Sequence, residues 1–262
     1  MADERVTLAV DGPVAILTLD RPEKLNAIDP PMLAALERLV LQLDADPQVR
    51  VVLLTAAGER AFCVGADIGA WAALEPLEMW RRWVRDGHRV YEAVARLRQP
   101  VIAAIQGFAL GGGLELALAA DVRIAADTAQ FALPEVTIGT VPGWAGTQRL
   151  PALIGPARAK WMTFTGARVD APTAERWSLV QEIVPAADLA ARARAVAEQI
   201  AANAPLSVQM AKQLIDGGLG DGTGLALEAL AGALAATTAD GREGIASFRE
   251  RRPPEFRGYI DE

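Results

Sequence analysis

Ala109-Leu110-Gly111-Gly112-Gly113-Leu114-Glu115-Leu116-Ala117 is the stretch on which the fold turns. Before it, Pro100–Ile105 reads as a buried strand; within and after it, Leu114–Ala120 reads as a helix. Glycines between a strand and a helix permit positive φ and let a ligand approach the backbone closely. The first turn of a helix offers unbonded N–H groups at the positive end of the dipole. Such a turn is a candidate anion or oxyanion site made of backbone, with Glu115 beside it. Leu116 stands where a dinucleotide fingerprint would need its last glycine, and no Gly-Lys-Ser/Thr follows, so neither nucleotide-binding loop fits. The plainer reading is a tight turn whose glutamate complements the helix dipole.

Working outward, the N-terminal half alternates strands and helices. Val6, Leu8 and Val10 alternate, Asp11-Gly12-Pro13 turns the chain, and Val14–Leu19 returns as a second strand. Met32–Leu43 has helical apolar spacing, Val49–Thr55 reads as a buried strand, Pro76–Leu97 as a helix and Val122–Ala126 as a strand. From about residue 145 alanine becomes dense and strands become scarce. Helices are expected at 156–164, 172–176, 187–202, 206–216, 224–238 and 241–251, with Gly217–Gly224 as a flexible connector. The fold class is α/β, divided into a core over 1–200 and a helical C-terminal region over 201–262.

The 262 residues carry 26 Lys and Arg against 33 Asp and Glu, a net charge of −7, and 52% are hydrophobic. That composition builds a large core and excludes the disordered class. An acidic chain is a poor candidate for nucleic acid or an anionic membrane surface, although Arg81-Arg82 and Arg249–Arg252 keep a local basic patch open. The single cysteine, Cys63, forbids an intrachain disulfide and points to a reducing compartment; the single histidine, His88, excludes a His-rich metal site. No apolar run reaches the ~18 residues of a membrane span, and the acidic start of the chain does not read as a signal peptide. A cytoplasmic protein is expected.

Two further segments carry chemistry. Glu135, in Leu133-Pro134-Glu135-Val136, has apolar neighbours, which raise a carboxyl pKa and suit it to donate a proton near neutrality. Gly65-Ala66-Asp67 offers a second backbone donor from a separate loop, or simply a helix cap at Asp67.

Taken in order, the sequence contains Arg21-Pro22-Glu23-Lys24-Leu25-Asn26-Ala27, Phe62-Cys63-Val64-Gly65-Ala66-Asp67-Ile68 and Pro100–Gly107. The triple-glycine segment, Pro134-Glu135 and Gly139–Leu150 complete the series. This set resembles the enoyl-CoA hydratase/isomerase (crotonase) superfamily over essentially the whole chain. The resemblance implies a spiral of ββα turns with a helical C-terminal trimerisation region, as a homotrimer or homohexamer. It implies an acyl-CoA thioester substrate whose enolate oxygen is held by the N–H groups of Ala66 and Gly112. Glutamate at both carboxylate positions resembles the hydratases, with Glu115 activating water and Glu135 exchanging the proton at C2. Lys24, Leu25, Ala27, Cys63, Asp67 and Ile68 fall at CoA-contacting positions, with Cys63 read as packing rather than nucleophile, and Phe256 falls where the tail packs near the adenine of a neighbouring subunit. Trp80, Trp83 and Trp144 fall where the acyl pocket is lined, and Trp71 lies in the same region. No metal and no separate cofactor are implied. An isomerase or other acyl-CoA lyase is the alternative enzyme; RNA binding and a non-catalytic subunit are the alternatives of other classes.

Overall fold

The computed structural model describes residues 5–72, 74–218 and 222–258. The hairpin forms as its alternation predicts: β1 (Val6–Asp11) pairs antiparallel with β2 (Val14–Leu19) around Gly12, whose φ is +58°. The helix α1 (Pro30–Ala45) starts where Asp29 accepts the Met32 N–H at 3.0 Å and buries Met32, Leu36, Leu39, Val40 and Leu43 along one face. It returns the chain to β3 (Val51–Ala56), which pairs parallel to β2.

From there the chain advances in ββα turns. Each turn gives one strand to a large sheet and one to a smaller sheet. β3 is followed by β4 (Ala61–Cys63), β5 (Val101–Ile105) by β6 (Phe108–Leu110), and β7 (Val122–Ala126) by β8 (Gln130–Ala132). The small sheet ends in β9 (Val169–Asp170) and the large one in β10 (Glu182–Val184), giving the orders β1-β2-β3-β5-β7-β10 and β4-β6-β8-β9. All five residues of β5 are buried, as a strand inside a parallel sheet requires.

Helices fill the returns. Between β4 and β5 run α2 (Ile68–Trp71), α3 (Pro76–Glu78), a π-helical turn over Met79–Val84 and α4 (Arg85–Ala95). α5 (Gly112–Ala117) follows β6 and is buried at every residue. Beyond β8 come α6 (Gly146–Ile154), α7 (Pro156–Thr165), α8 (Ala171–Arg176), α9 (Leu189–Ala201), α10 (Pro205–Gly217), α11 (Gly222–Thr237) and α12 (Ala239–Glu250). The main core lies between the two sheets and helices α1, α4 and α5. A second cluster joins Val51, Leu53, Ile102 and Ile124 to Ala193, Ala197 and Ala201 of α9, whose four-residue alanine spacing lets the helix lie close on the sheet.

Three expectations change. The helix expected over 76–97 is interrupted by the π turn and stops at Ala95. α6 was not expected, because Gly146 and Pro151 disguise its period. The expected connector Gly217–Gly224 is shortened by the ends of α10 and α11, and residues 219–221 lie outside the described residues. Among the described residues no helix is long and apolar enough to cross a membrane.

Gly113 shows how tightly α5 is seated: a Cβ there would overlap the carbonyl of Cys63 in β4, and backbone has no rotamer by which to move away. Gly113→Ala is expected to cost about 3 kcal/mol or more, read as a lower denaturation midpoint with an unchanged denaturant slope.

Candidate active site

The N-terminal end of α5 meets three loops. Gly111, with φ +54°, turns the chain from β6 into the helix. Gly65, with φ +95°, brings the loop after β4 so near that a Cβ on it would sit 2.8 Å from the Gly112 nitrogen. A side chain at Gly65 would push the two segments apart. On the β4 side, Ile28 N–H donates to the Gly65 carbonyl at 2.8 Å and Asp67 N–H to the Ile28 carbonyl at 2.8 Å. The Ala66 N–H between them is left out of that bridge. Gly112 N–H, at the first position of a helix, has no carbonyl one turn back. Among the hydrogen bonds of the described residues neither amide is used. Tyr91 from α4 donates its hydroxyl to the Gly112 carbonyl at 2.9 Å and so holds the Gly112–Gly113 peptide, next to the one that carries the Gly112 N–H.

Glu115 stands one turn into α5 and is 2% exposed. The turn before α6 wraps its carboxylate: Trp144 N–H and Gly146 N–H each donate to Oε1 at 2.7 Å. Ala145 takes φ +79° to make the wrap, and a Cβ at Gly146 would lie 2.8 Å from Oε1. Burial pushes the Glu115 carboxyl up from its ordinary value, while the amides of Gly146, Trp144 and Gly143 pull it back.

Glu135 opens the 3-10 turn Glu135–Ile138, directly after Pro134. Its Oε1 lies 2.9 Å from where a Cβ on Gly111 would be, so the glycine makes room for the carboxyl. Its Oε2 is buried and has no hydrogen-bond partner. Burial raises its pKa from 4.5 to about 7, and the nearby Glu115 charge adds to the rise. The two carboxyls are therefore unequal. Donors favour the charged form of Glu115, and nothing stabilises charge on Glu135 Oε2, so a proton shared by the pair resides on Glu135.

The glutamates and the α5 end open on a cavity of about 230 Å³. Its remaining wall is mostly apolar: Trp71, Met79, Trp83, Val84, Ile138, Val141 and Trp144. Met79, Trp83 and Val84 all reach it because the wider π turn sets the i+4 and i+5 residues on either side of residue i. Helical spacing over Pro76–Leu97 places Val84 on the side of Trp83 but does not single out Met79. Ile138 and Val141, at the rim, follow the Pro134-Glu135 signal but have no pattern of their own.

The structure brings together Glu115, Glu135, Ala66, Gly112, Ile68, Trp83 and Trp144 around this cavity. Trp80 is a correction: it is 63% exposed and lies outside the lining, whereas Met79, Trp83 and Val84 of the same π turn line the cavity. The side chain of Cys63 is fully buried in the main core, and burial raises the thiol pKa to about 12, as befits a packing residue. Ala27 is likewise buried, with its carbonyl accepting from Arg21 at 3.0 Å. Asp67 pairs with Arg21 at 2.8 Å and caps α2 through Gly69 N–H at 3.0 Å, the cap its sequence position offered. Lys24 is exposed on the turn Pro22–Lys24, and Leu25 follows it with φ +52°. Buried Asn26 ties that loop down, donating to the carbonyls of Ala57 and Ala61 at 2.9 and 3.0 Å. Phe256 lies away from the cavity, against Gly244, with its carbonyl bonded to Arg50 at 2.9 Å. Among the described residues no group of His, Cys, Asp and Glu is arranged to hold a metal ion.

The family model for enoyl-CoA hydratase/isomerase matches residues 10–259. The chain is 38% identical to the short-chain-enoyl-CoA hydratase of Clostridium acetobutylicum, over 94% of this chain and 95% of that protein. It is 42% identical to the (E)-benzylidenesuccinyl-CoA hydratase of Thauera aromatica, over 97% and 99%. A crystal structure of an enoyl-CoA hydratase from Bacillus anthracis superposes with a TM-score of 0.94 at 40% identity, covering 98% of this chain and 100% of that one. The chain belongs to the enoyl-CoA hydratase/isomerase family and is an enzyme of enoyl-CoA hydratase type.

The raised Glu135 pKa has a consequence for stability. The folded state binds this proton more tightly than the unfolded chain, so the group's contribution is greatest at low pH. It declines as pH rises from about 4.5 to about 7 and is lost above that. Glu135→Gln is expected to raise Tm more at pH 8 than at pH 5. An equal gain at both would show that the carboxyl is not held protonated by the fold.

Proposed function

We propose that the chain adds water across the 2,3 double bond of a trans-2-enoyl-CoA, giving a 3-hydroxyacyl-CoA through a thioester enolate. The observation that carries this reading is the unequal pair of buried carboxyls, Glu115 with two amide donors and Glu135 with a bare Oε2, beside two unused backbone N–H groups.

The thioester oxygen accepts from Ala66 N–H and Gly112 N–H. These donors favour the enolate over the neutral ester, because charge grows on that oxygen as the reaction proceeds. Glu115 is ionised, and its two amides fix its direction. It accepts a proton from a water molecule as the water oxygen bonds to C3. Glu135 is protonated and delivers its proton to C2. The elements of water are thus added, a hydroxyl from water at C3 and a proton from Glu135 at C2, and the pair ends with the water's other proton on Glu115. A proton exchange between the two restores the start, so the roles belong to the pair as much as to either member. The atoms balance with water alone, and neither a metal nor a redox group enters a step.

The loop over residues 21–28, pinned by Asn26, presents Lys24 as a contact for CoA phosphate, and Ile68 lies at the cavity entrance. The exposed Leu225, Leu227, Leu230 and Leu234 of α11 support assembly into a homotrimer or homohexamer. The one thiol, fully buried, supports a reducing, cytoplasmic setting.

Glu115→Gln and Glu135→Gln are each expected to slow crotonyl-CoA hydration at least about a hundredfold, followed by loss of the conjugated-thioester absorbance. For the unaltered enzyme, kcat/KM should fall as pH rises through about 7, where Glu135 loses the proton it must donate. A rate still climbing through that range would reverse the assignment of acid and base.

A further inference from the structure

We propose that Trp144 closes the acyl end of the cavity and makes this enzyme selective for short trans-2-enoyl chains, with Gly87 as the recess that admits its indole. The proposal rests on the hydratase reading and names the substrate class that the same site takes.

Trp144 has two separable parts. Its backbone N–H holds Glu115, whereas its indole reaches the other way, into the gap between α5 and α4. The residue is 2% exposed. The ring lies against Gly112 so closely that a Cβ there would be 2.8 Å from it, directly behind the amide that faces the thioester oxygen. At its far edge a Cβ on Gly87 would overlap Nε1. Glycine in the interior of α4 weakens a helix. Here the missing side chain leaves space that the indole occupies. The ring is then fixed on its other sides. Nε1–H donates to the Trp83 carbonyl at 3.3 Å, and the Trp83 and Tyr91 rings pack on it with centroids at 5.2 and 5.1 Å.

The catalytic arrangement determines which carbons meet this ring. C1 is held at Ala66 and Gly112, and C2 and C3 lie between Glu135 and Glu115. C4 and beyond then run toward the apolar wall of Trp71, Trp83, Val84 and Trp144. With the gap between α5 and α4 filled, the chain has little space in which to extend. Each further methylene that cannot enter costs tenfold or more in kcat/KM, about the discrimination that one methylene contributes in an apolar pocket.

The experiment is a panel of trans-2-enoyl-CoA esters from four to twelve carbons, with kcat/KM measured for the unaltered enzyme, Trp144→Ala, and Trp144→Ala combined with Gly87→Leu. Alanine keeps the N–H on Glu115 and opens the gap; leucine at 87 refills it from the opposite wall. The unaltered enzyme should favour the four-carbon ester over the ten-carbon ester by at least about tenfold. Trp144→Ala should raise the ten-to-four-carbon ratio by at least about tenfold, and the double variant should bring it back. Trp144→Phe keeps a buried ring and serves if the alanine variant does not fold. It should move the ratio the same way by at least about threefold. A ratio unchanged in the folded variant, or not restored by leucine at 87, overturns the proposal while hydration of the four-carbon ester still stands. Failure of the unaltered enzyme to hydrate any member overturns the hydratase reading, and the proposal with it.

Discussion

Close backbone contact between the N-terminus of α5 and the β4 loop governs the rest of the structure. Gly65, Gly111, Gly112 and Gly113 each lie where a Cβ would press on a neighbouring residue. Gly65 meets the Gly112 nitrogen, Gly111 meets the Glu135 carboxyl, Gly112 meets the Trp144 ring and Gly113 meets β4. Removing four side chains from one spot lets two amide N–H groups from different segments face the same cavity. It also leaves room for two carboxyls beside them. The parallel sheets behind the contact hold both segments at fixed heights, since β4 and β6 are neighbours in the small sheet.

That arrangement has a cost in stability. A carboxylate taken out of water is unfavourable unless it is hydrogen-bonded. Glu115 is compensated by the turn over residues 143–146, and Glu135 Oε2 is not compensated by any protein group. Sites of this kind trade stability for reactivity. The buried Asn26, the Arg21–Asp67 pair and the Tyr91 hydroxyl hold the surrounding loops in place. None of the three lines the cavity, yet each fixes a segment that does.

Much of this was legible in the sequence. The hairpin, α1, β3, β5 and β7 follow from alternation and helical spacing, because their apolar residues are long runs packed on one core. The glycine run and Glu115 were legible as a strand-to-helix turn with a carboxylate in its first turn. Glu135 was legible from its apolar neighbours. The short strands β4, β6 and β8 have three residues each and carry no period of their own. The π turn was hidden for a different reason. It places both the i+4 and the i+5 residue beside Met79, so that Met79, Trp83 and Val84 line the cavity while Trp80 stays outside it. Cys63 and Ala27 lie in segments near the site, but nearness in sequence does not reveal which way a side chain points. The pairing of Gly87 with Trp144 joins residues 57 positions apart and needs the fold to be seen.

The central claim is that this chain adds the elements of water across the double bond, the oxygen of a water molecule to C3 and a solvent-derived proton, carried by Glu135, to C2. Mass analysis of the product formed from crotonyl-CoA in water enriched in both ¹⁸O and deuterium tests it most directly. The account predicts disappearance of the enoyl-CoA and a 3-hydroxybutyryl-CoA carrying one ¹⁸O at C3 and one deuterium at C2. Crotonyl-CoA that binds and is recovered with neither label, its double bond in place, would contradict it.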